Sequence, residues 1–336
     1  MNKRERVIAA IEHRETDFTP YQVRFTALER QAVIEATGIS EPEECYGSHI
    51  ELASCMDFEQ EVAPGLFRNE FGVVWDRRDG SDIGQPALQP LSRQPSLEGY
   101  AFPKPLENEI ASQMERFSQK PWDTFRMVCV GWTLYERAWT MRGMENALED
   151  MLLNEDFLLE LFDNIIGYDI SAMDSAIEHC DSFDAFYFGD DWGQQRGLIM
   201  GAPLWRKLIG PGIARLIEHA KKRGKYAVLH SCGDNQELFP DLIDAGLDVY
   251  DTFQPEIYPI AEIKKKYGDK LSFLGGISTQ SLLPFASPQE VEREVKEIIG
   301  IMGVGGGYIA APTHDMPPDI PIENFLAMAR AFQNQE

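Results

Sequence analysis

A histidine and a cysteine are separated by a single residue at positions His230 and Cys232. Alternate residues of an extended segment point the same way, so this imidazole and thiolate can converge on one metal ion. Zinc accepts nitrogen and sulfur ligands, and a catalytic zinc keeps three protein ligands and one open position. His314 is the natural candidate for the third ligand. The alternative is structural: Cys232 packs as a small apolar side chain and His230 bonds to nearby backbone.

Three carboxylates provide candidates for proton transfer and for orienting a substrate. Asp191 and Glu256 are predicted to act in catalysis as acid–base groups, and Glu256 is also a candidate fourth metal ligand. Asp190 is predicted to bind substrate through a hydroxyl or an amine. The alternatives are that the paired aspartates cap the segment that follows them and that Glu256 is a solvated loop carboxylate.

Four further side chains are predicted to bind substrate. Trp132 and Trp192 are candidate aromatic walls, although tryptophan more often serves packing alone. Arg24 can clamp a carboxylate through its guanidinium fork, and its alternative is a salt bridge with a neighbouring acid. Gln254 directly follows an apolar segment and is predicted to orient the substrate.

Short apolar segments alternate with helical patterns through the second half of the chain. Such alternation predicts parallel strands with crossover helices, in either an open sheet or a closed barrel. The predicted strands are 185–189, 226–230, 248–253, 271–275 and 307–311, and the helices are 204–222, 236–245, 260–267, 288–301 and 322–332.

The first half adds predicted strands at 18–24 and 126–132. The stretch from about 40 to 120 is less regular, and we interpret it as an insertion or lid. Within it, 67–75 and 83–88 are predicted to form a hairpin over the turn at Asp79 and Gly80. Parallel α/β folds place their chemistry after the carboxyl ends of strands. Each candidate residue above follows such a strand end, so in a barrel they would line one mouth.

The net charge of the chain argues against partners that are themselves strongly negative. The sequence has 336 residues with Lys+Arg 31 and Asp+Glu 55, which gives a formal net charge of −24. Such an acidic surface repels nucleic acid, anionic lipid and polyanionic substrates. The five cysteines form no C-x-x-C pair, which favours a reducing cytoplasm over a disulfide scaffold. The sequence shows neither a signal peptide nor an apolar stretch of about 18 residues, so a cytoplasmic protein is expected.

Six short motifs stand out along the chain: Tyr187-Phe-Gly-Asp-Asp-Trp-Gly193, Leu229-His-Ser-Cys-Gly-Asp234, Phe253-Gln-Pro-Glu256, Gly275-Gly-Ile-Ser-Thr-Gln280, Ala311-Pro-Thr-His314 and Pro321-Ile-Glu-Asn324. Together they resemble the uroporphyrinogen decarboxylase superfamily. The resemblance implies a single (β/α)8 TIM-barrel domain over 1–336, with an N-terminal insertion and the site at the strand carboxyl ends.

Two chemistries occur in this superfamily. Its decarboxylases use no metal and carry an Arg-Gln-Ala-Gly-Arg-Tyr segment, where this chain has Tyr21-Gln-Val-Arg-Phe25 with one arginine, Arg24. Its cobamide-dependent methyltransferases hold zinc with the histidine and cysteine of a His-x-Cys-Gly segment, which this chain has at His230. Their third ligand is a cysteine, and His314 stands in that place. Histidine in place of a second cysteine makes the ligand set harder, in the sense of hard and soft metal ligands, and less rich in thiolate.

The resemblance therefore implies a zinc-dependent methyltransferase that acts with a corrinoid protein on a small methylated or methoxylated compound. Two alternatives stay open. One is a metal-free decarboxylase or lyase, in which Arg24 anchors a carboxylate and Asp191 stabilises a cationic intermediate. The other is a non-catalytic subunit that binds a corrinoid or a metabolite. The sequence does not indicate an oligomeric state.

Overall fold

Two compact units make up the chain in the computed structural model, which describes residues 1–335. The first unit contains Met1–Glu51, Trp122–Arg126 and the residues from Asp248 onwards. The second unit contains Leu52–Pro121 and Met127–Leu247.

Short strands and longer helices alternate along both units. The strands are β1 (Ile50–Ser54), β2 (Glu59–Ala63), β3 (Leu66–Asn69), β4 (Val74–Asp76), β5 (Gln85–Leu88), β6 (Phe125–Trp132), β7 (Ala185–Gly189), β8 (Gly193–Gln194), β9 (Gly197–Leu198), β10 (Tyr226–His230), β11 (Val249–Phe253), β12 (Ser272–Ile277) and β13 (Tyr308–Pro312). The α-helices are α1 (Lys3–Ile11), α2 (Ala27–Thr37), α3 (Pro42–Cys45), α4 (Glu107–Gln119), α5 (Leu134–Arg142), α6 (Met144–Leu153), α7 (Glu155–His179), α8 (Ala202–Leu204), α9 (Gly210–Lys222), α10 (Phe239–Asp244), α11 (Ile260–Tyr267), α12 (Leu282–Phe285), α13 (Pro288–Met302) and α14 (Ile322–Gln333). A π-helical turn spans Trp205–Ile209, and a 3₁₀ turn spans Gln236–Leu238.

Parallel strands form the core of the second unit. β7 pairs in parallel with both β6 and β10, and β1 lies beside β6. Ala185, Phe186 and Phe188 of β7 are buried, which is why this strand reads as a continuous apolar run instead of an alternating one. A separate antiparallel sheet has the order β2–β3–β4–β5.

The first unit holds the parallel neighbours β11, β12 and β13, and every residue of these three strands is buried. The predicted strand 18–24 is not a regular strand: within it, Tyr21 forms one isolated parallel bridge to Ala310 of β13, and Phe25, just beyond it, forms a second to Met316. Pro20 has no N–H to donate to a ladder, which limits the pairing on this side.

The parallel strands confirm most of the sequence prediction. The predicted strands 185–189 and 226–230 coincide with β7 and β10, and the later three differ from β11–β13 by one or two residues at their ends. The described residues contain seven parallel strands, so the eightfold count is not confirmed. None of the helices in residues 1–335 combines the length and the apolar character that crossing a bilayer requires.

The stretch from 40 to 120 is more regular than the sequence suggests. It contains β1 to β5 together with α3 and α4. β4 pairs antiparallel with β5, as the predicted hairpin requires, but β3 and β4 are separate strands. All five residues of β2 are exposed, so this strand carries no alternation of buried and exposed positions that a sequence pattern could reveal.

A bulge near the end of β6 depends on glycine. The register against β7 shifts between Cys129 and Gly131, and Gly131 has a φ of 72°. A Cβ at this position would lie 1.9 Å from Oδ2 of Asp57. Only glycine accepts both the left-handed backbone and this close approach. The bulge sets the direction in which the chain leaves the sheet at Trp132.

Candidate functional site

His230 and Cys232 lie side by side in the second unit. β10 ends at His230, and its Nε2 is 3.4 Å from Sγ of Cys232. Both residues are partly buried. Two ligands at zinc–nitrogen and zinc–sulfur distances with a tetrahedral angle would be about 3.6 Å apart. The spacing and the donor types of this pair therefore fit a tetrahedral metal ion.

Asp191 supports the same pair from the loop after β7. Its Oδ1 accepts a hydrogen bond from the backbone N–H of Cys232 at 2.7 Å and lies 3.8 Å from Nε2 of His230. Burial raises the pKa of the Cys232 thiol, and the adjacent His230 offsets part of this rise. Asp191 thus fixes the backbone at the cysteine.

The loops that follow β7 and β10 touch through two glycines. A Cβ on Gly193 would lie 2.6 Å from the carbonyl oxygen of Cys232, and a Cβ on Gly233 would lie 2.2 Å from the carbonyl carbon of Gly193. The N–H of Asp234 donates to the carbonyl of Gln194 at 2.9 Å. This contact between the two backbones joins the loop of Asp191 to the loop of Cys232.

Asp190 is fully buried and caps a helix. Its carboxylate accepts hydrogen bonds from the backbone N–H groups of Tyr135 and Glu136, at 3.1 and 2.7 Å, and from Nε1 of Trp192 at 2.6 Å. The capped helix is α5, which precedes Asp190 in the sequence, whereas the sequence alternative placed the cap on the following segment. Burial raises the pKa of Asp190 to about 7, although these hydrogen bonds oppose the rise.

Glu136 is a buried carboxyl group that the sequence analysis missed. Burial is the largest cause that raises its pKa well above the ordinary value, followed by the charges of Asp191 and Asp190. The charge of His230 lowers the pKa of Glu136, so Glu136 lies close enough to the His230–Cys232 pair to interact with it electrostatically. A search of the residues that follow the end of β6 at Trp132 would have found it.

The two candidate tryptophans have different environments. Trp132 is partly exposed, and its ring lies 5.0 Å from that of Trp75 and 6.4 Å from that of Trp139. Trp192 is fully buried against Trp205, with ring centroids 5.0 Å apart. The placement of Trp192 is that of a packing residue, while Trp132 is accessible enough to contact a ligand.

The backbone of Trp132 is held by an ion pair. Oδ2 of Asp57 accepts a hydrogen bond from the N–H of Trp132 at 3.3 Å, and its Oδ1 accepts one from the fully buried Arg137 at 2.6 Å. The same Nη2 of Arg137 donates to the carbonyl of Trp132 at 3.2 Å. Both peptide groups of Trp132 are therefore fixed by charged side chains.

Arg24, in the first unit, makes a two-point ion pair. Its Nη1 and Nη2 donate to the two carboxylate oxygens of Asp251 at 2.9 and 3.1 Å, and Asp251 is fully buried. The salt bridge that the sequence left as an alternative is thus present. A role of Arg24 toward a substrate carboxylate stays a prediction.

His314 is exposed on the turn after β13. The preceding Thr313 is buried, and its hydroxyl lies 3.0 Å from that of Thr279. The N–H of Thr313 donates to the carbonyl of Ile277 at 2.8 Å. The backbone next to His314 is therefore anchored to the end of β12.

The remaining two candidates follow β11 in the first unit. Gln254 is buried, and its carbonyl accepts the N–H of Tyr258 at 3.0 Å. Glu256 is exposed, and its Oε1 accepts hydrogen bonds from the hydroxyls of Ser278 and Ser281. This bonding agrees with a loop carboxylate. The catalytic role of Glu256 stays a prediction.

Within the second unit, the structure gathers four of the candidates. Asp190, Asp191, His230 and Cys232 form one group together with Glu136. The group combines a pair of metal-type donors with three carboxyl groups, two of which have raised pKa values. Such an arrangement is suited to metal binding and to neutral or cationic substrates rather than to anions.

Comparison with known proteins decides the family. The family model of uroporphyrinogen decarboxylase (URO-D) matches residues 128–335, which is more than half of the chain. The chain belongs to the URO-D family. The matched region includes the whole group around His230 as well as His314.

Relatives of this URO-D family member include two kinds of enzyme. The methylated-thiol–coenzyme M methyltransferase of Methanosarcina mazei is 27% identical over 133 residues, which are 40% of this chain and 34% of that protein. The uroporphyrinogen decarboxylase of Serratia proteamaculans is 33% identical over 76 residues, 23% of this chain and 21% of that protein. The chain thus spans about a third of the first relative's length and about a fifth of the second's.

A solved structure described as a methyltransferase from Methanosarcina mazei shares the fold. It matches with a TM-score of 0.75 at 17% sequence identity and covers 99% of this chain and 98% of its own. Together with the seven parallel strands and their helices, this match fits an α/β barrel.

Proposed function

We propose that this URO-D family member is a zinc-dependent methyltransferase that moves a methyl group between a small methylated or methoxylated compound and a corrinoid protein. The observation that carries the proposal is the 3.4 Å separation of His230 Nε2 and Cys232 Sγ, which suits two ligands of one tetrahedral ion. The sequence match to a methylated-thiol methyltransferase supports the same reaction class.

His230, Cys232 and His314 are the proposed zinc ligands. Two imidazoles and one thiolate are donors that zinc accepts, and three ligands leave one position for the substrate. When bound, the metal supplies Lewis acidity, which polarises a substrate heteroatom or lowers the pKa of an acceptor thiol.

The other candidate residues have supporting roles in this proposal. Asp191 holds the backbone of Cys232 through a hydrogen bond. Asp191 and Glu256 are proposed to donate protons to the substrate or accept protons from it as general acid–base groups. Trp132 is proposed as an aromatic wall, since its backbone is fixed and its ring is partly exposed. Arg24 and Gln254 stay proposed substrate-binding residues. For Asp190 and Trp192, which were also predicted to bind substrate, full burial and their mutual hydrogen bond favour a structural role.

Metal analysis is the first test. Protein purified without chelator is expected to carry about one zinc ion per chain, and His230→Ala and Cys232→Ala should each lose it. His179→Ala and Cys45→Ala are matched controls, because both positions are exposed and outside the proposed site. Zinc-free wild-type protein, or undiminished zinc in His230→Ala, would refute the metal site.

Methyl transfer is the second test. Purified protein is incubated with reduced cobalamin and a panel of methylated thiols and methoxylated compounds, and formation of methylcobalamin is followed by absorbance. Transfer that depends on zinc and on Cys232 supports the proposal. Tight binding of a corrinoid protein without any transfer would instead favour a non-catalytic subunit.

The decarboxylase relatives favour one alternative, a metal-free carboxy-lyase. Turnover of uroporphyrinogen by the purified protein, lost in Asp191→Asn, would support it. The ion pair of Arg24 with Asp251 weighs against it, because the proposed carboxylate anchor already has a buried carboxylate as its partner.

A further inference from the structure

Arg24 links a buried carboxylate to the segment that carries His314. Beyond its two bonds to Asp251, its Nη2 donates to the carbonyl of Pro312 at 3.2 Å, and its Nε lies 3.7 Å from Oδ1 of Asp315. Pro312 and Asp315 stand on either side of His314 in the sequence. One guanidinium group therefore contacts the chain both before and after this histidine.

Main-chain hydrogen bonds fix the position of Arg24 itself. The N–H of Met316 donates to the carbonyl of Arg24 at 3.2 Å, and the N–H of Thr26 donates to the carbonyl of Met316 at 3.1 Å. The hydroxyl of Thr26 also donates to the Met316 carbonyl, at 3.0 Å. The segment that contains Arg24 and the segment that follows His314 are therefore paired in parallel, through the bridge between Phe25 and Met316.

We propose that Arg24 and Asp251 are positioning residues for the metal site, which hold segment 312–315 so that His314 is presented as a ligand. This inference rests on the proposed function. His314 is exposed, so burial does not hold its imidazole in place. Asp251 is fully buried in β11, so it holds the guanidinium of Arg24 in one position. The planar guanidinium then fixes the carbonyl of Pro312, to which its Nη2 donates.

The expected consequence is a loss of zinc affinity without a change in the ligands. Groups that orient metal ligands typically change metal affinity by about 10- to 100-fold when they are removed. Arg24→Met alone would remove the guanidinium that bonds to both carboxylate oxygens of the buried Asp251, and the loss of this buried charge pair destabilises the fold by itself. The double variant R24M/D251L removes both charges together, and Arg24→Lys keeps the charge but loses the fork.

The test measures zinc affinity by competition with a chromophoric chelator in wild type, R24M/D251L, R24K and H314A. Arg206→Met is the matched control, since Arg206 forms an exposed two-point pair with Asp241 in the second unit. R24M/D251L is expected to bind zinc about 10-fold or more weakly than wild type, close to H314A, with R24K between them. The absorption spectrum of bound Co²⁺ should shift in R24M/D251L as it does in H314A.

Each outcome has a distinct meaning. Zinc affinity of R24M/D251L within about twofold of wild type, while H314A is weakened, overturns the positioning role and leaves the metal site standing. Wild type without zinc, or H314A that binds zinc as tightly as wild type, overturns the proposed ligand set and this inference with it.

Discussion

The carboxylate of Asp190 and the indole of Trp192 are joined by a 2.6 Å hydrogen bond between two fully buried side chains. The same carboxylate accepts the N–H groups of the second and third residues of α5, Tyr135 and Glu136. A single residue after β7 thus ties together the loop of Asp191 and the helix of Glu136. Its pKa of about 7 reflects the balance between burial and three donors.

Asp190→Ala should destabilise the protein by about 2–4 kcal/mol, because it leaves three buried donors without an acceptor. Asp190→Asn should lose less, since its carbonyl oxygen still accepts. The free energy of unfolding from urea titrations measures both. Trp192→Phe completes a double-mutant cycle, and a coupling energy near zero between positions 190 and 192 would contradict the importance of the pair.

Gly131→Ala tests the close approach at the bulge of β6. The substitution adds a Cβ that would meet Oδ2 of Asp57 at 1.9 Å on a left-handed backbone. Gly72→Ala is the matched control, because Gly72 has a φ of 83° and nothing within 4 Å of its Cβ position. We expect Gly72→Ala to cost about 1 kcal/mol from backbone strain and Gly131→Ala to cost at least about 2 kcal/mol.

Denaturation curves of the two glycine variants give the comparison directly. The difference between them reports the steric contacts at Gly131, chiefly with Asp57 and to a lesser extent with Met56, since the backbone strain is common to both. Equal losses of stability would show that the contact between Gly131 and Asp57 adds nothing. A larger loss in Gly131→Ala should be accompanied by changed fluorescence, because the next residue is Trp132.

Glu70 gives the protein a pH-dependent stability. Burial, together with the charge of Asp57, raises the pKa of Glu70 to about 7, and its Oε1 accepts hydrogen bonds from the N–H of Asp57 and the hydroxyl of Tyr168. Because the folded state binds this proton more tightly than the unfolded state does, its contribution is complete below the ordinary glutamate pKa. It is lost as the pH rises toward about 7.

Glu70→Gln should therefore be more stable than wild type at pH 8, by roughly 1–3 kcal/mol, and should match it near pH 4.5. Asp17→Asn provides a comparison of opposite sign. Hydrogen bonding to Arg6 lowers the pKa of Asp17, so this variant should be less stable than wild type at pH 7, and the difference should shrink as the pH falls below about 4. A pH-independent difference between Glu70→Gln and wild type would refute the shifted pKa.

The elements that could be predicted from the sequence are those whose burial shows as a pattern of neighbouring residues. β7 and β10 read as apolar runs because parallel strands are covered on both faces, and His230 and Cys232 are neighbours in the chain, so their spacing was readable. The exposed strand β2 carries no such pattern. The partner of Arg24 lies 227 residues away at Asp251, and no periodicity or spacing rule reaches across that separation.

Two substitutions of Asp191 distinguish the effect of its hydrogen bond to the Cys232 backbone from the effect of its negative charge. Its Oδ1 accepts the N–H of Cys232 at 2.7 Å, which orients the segment that bears the proposed thiolate ligand. Asp191→Ala should weaken zinc binding by about 10-fold, whereas Asp191→Asn retains an oxygen acceptor and should stay within about threefold of wild type. Chelator competition gives both affinities. If Asn and Ala weaken zinc equally, the negative charge near His230 rather than the hydrogen bond to Cys232 is what the site requires, and methyl transfer should then fail in both variants.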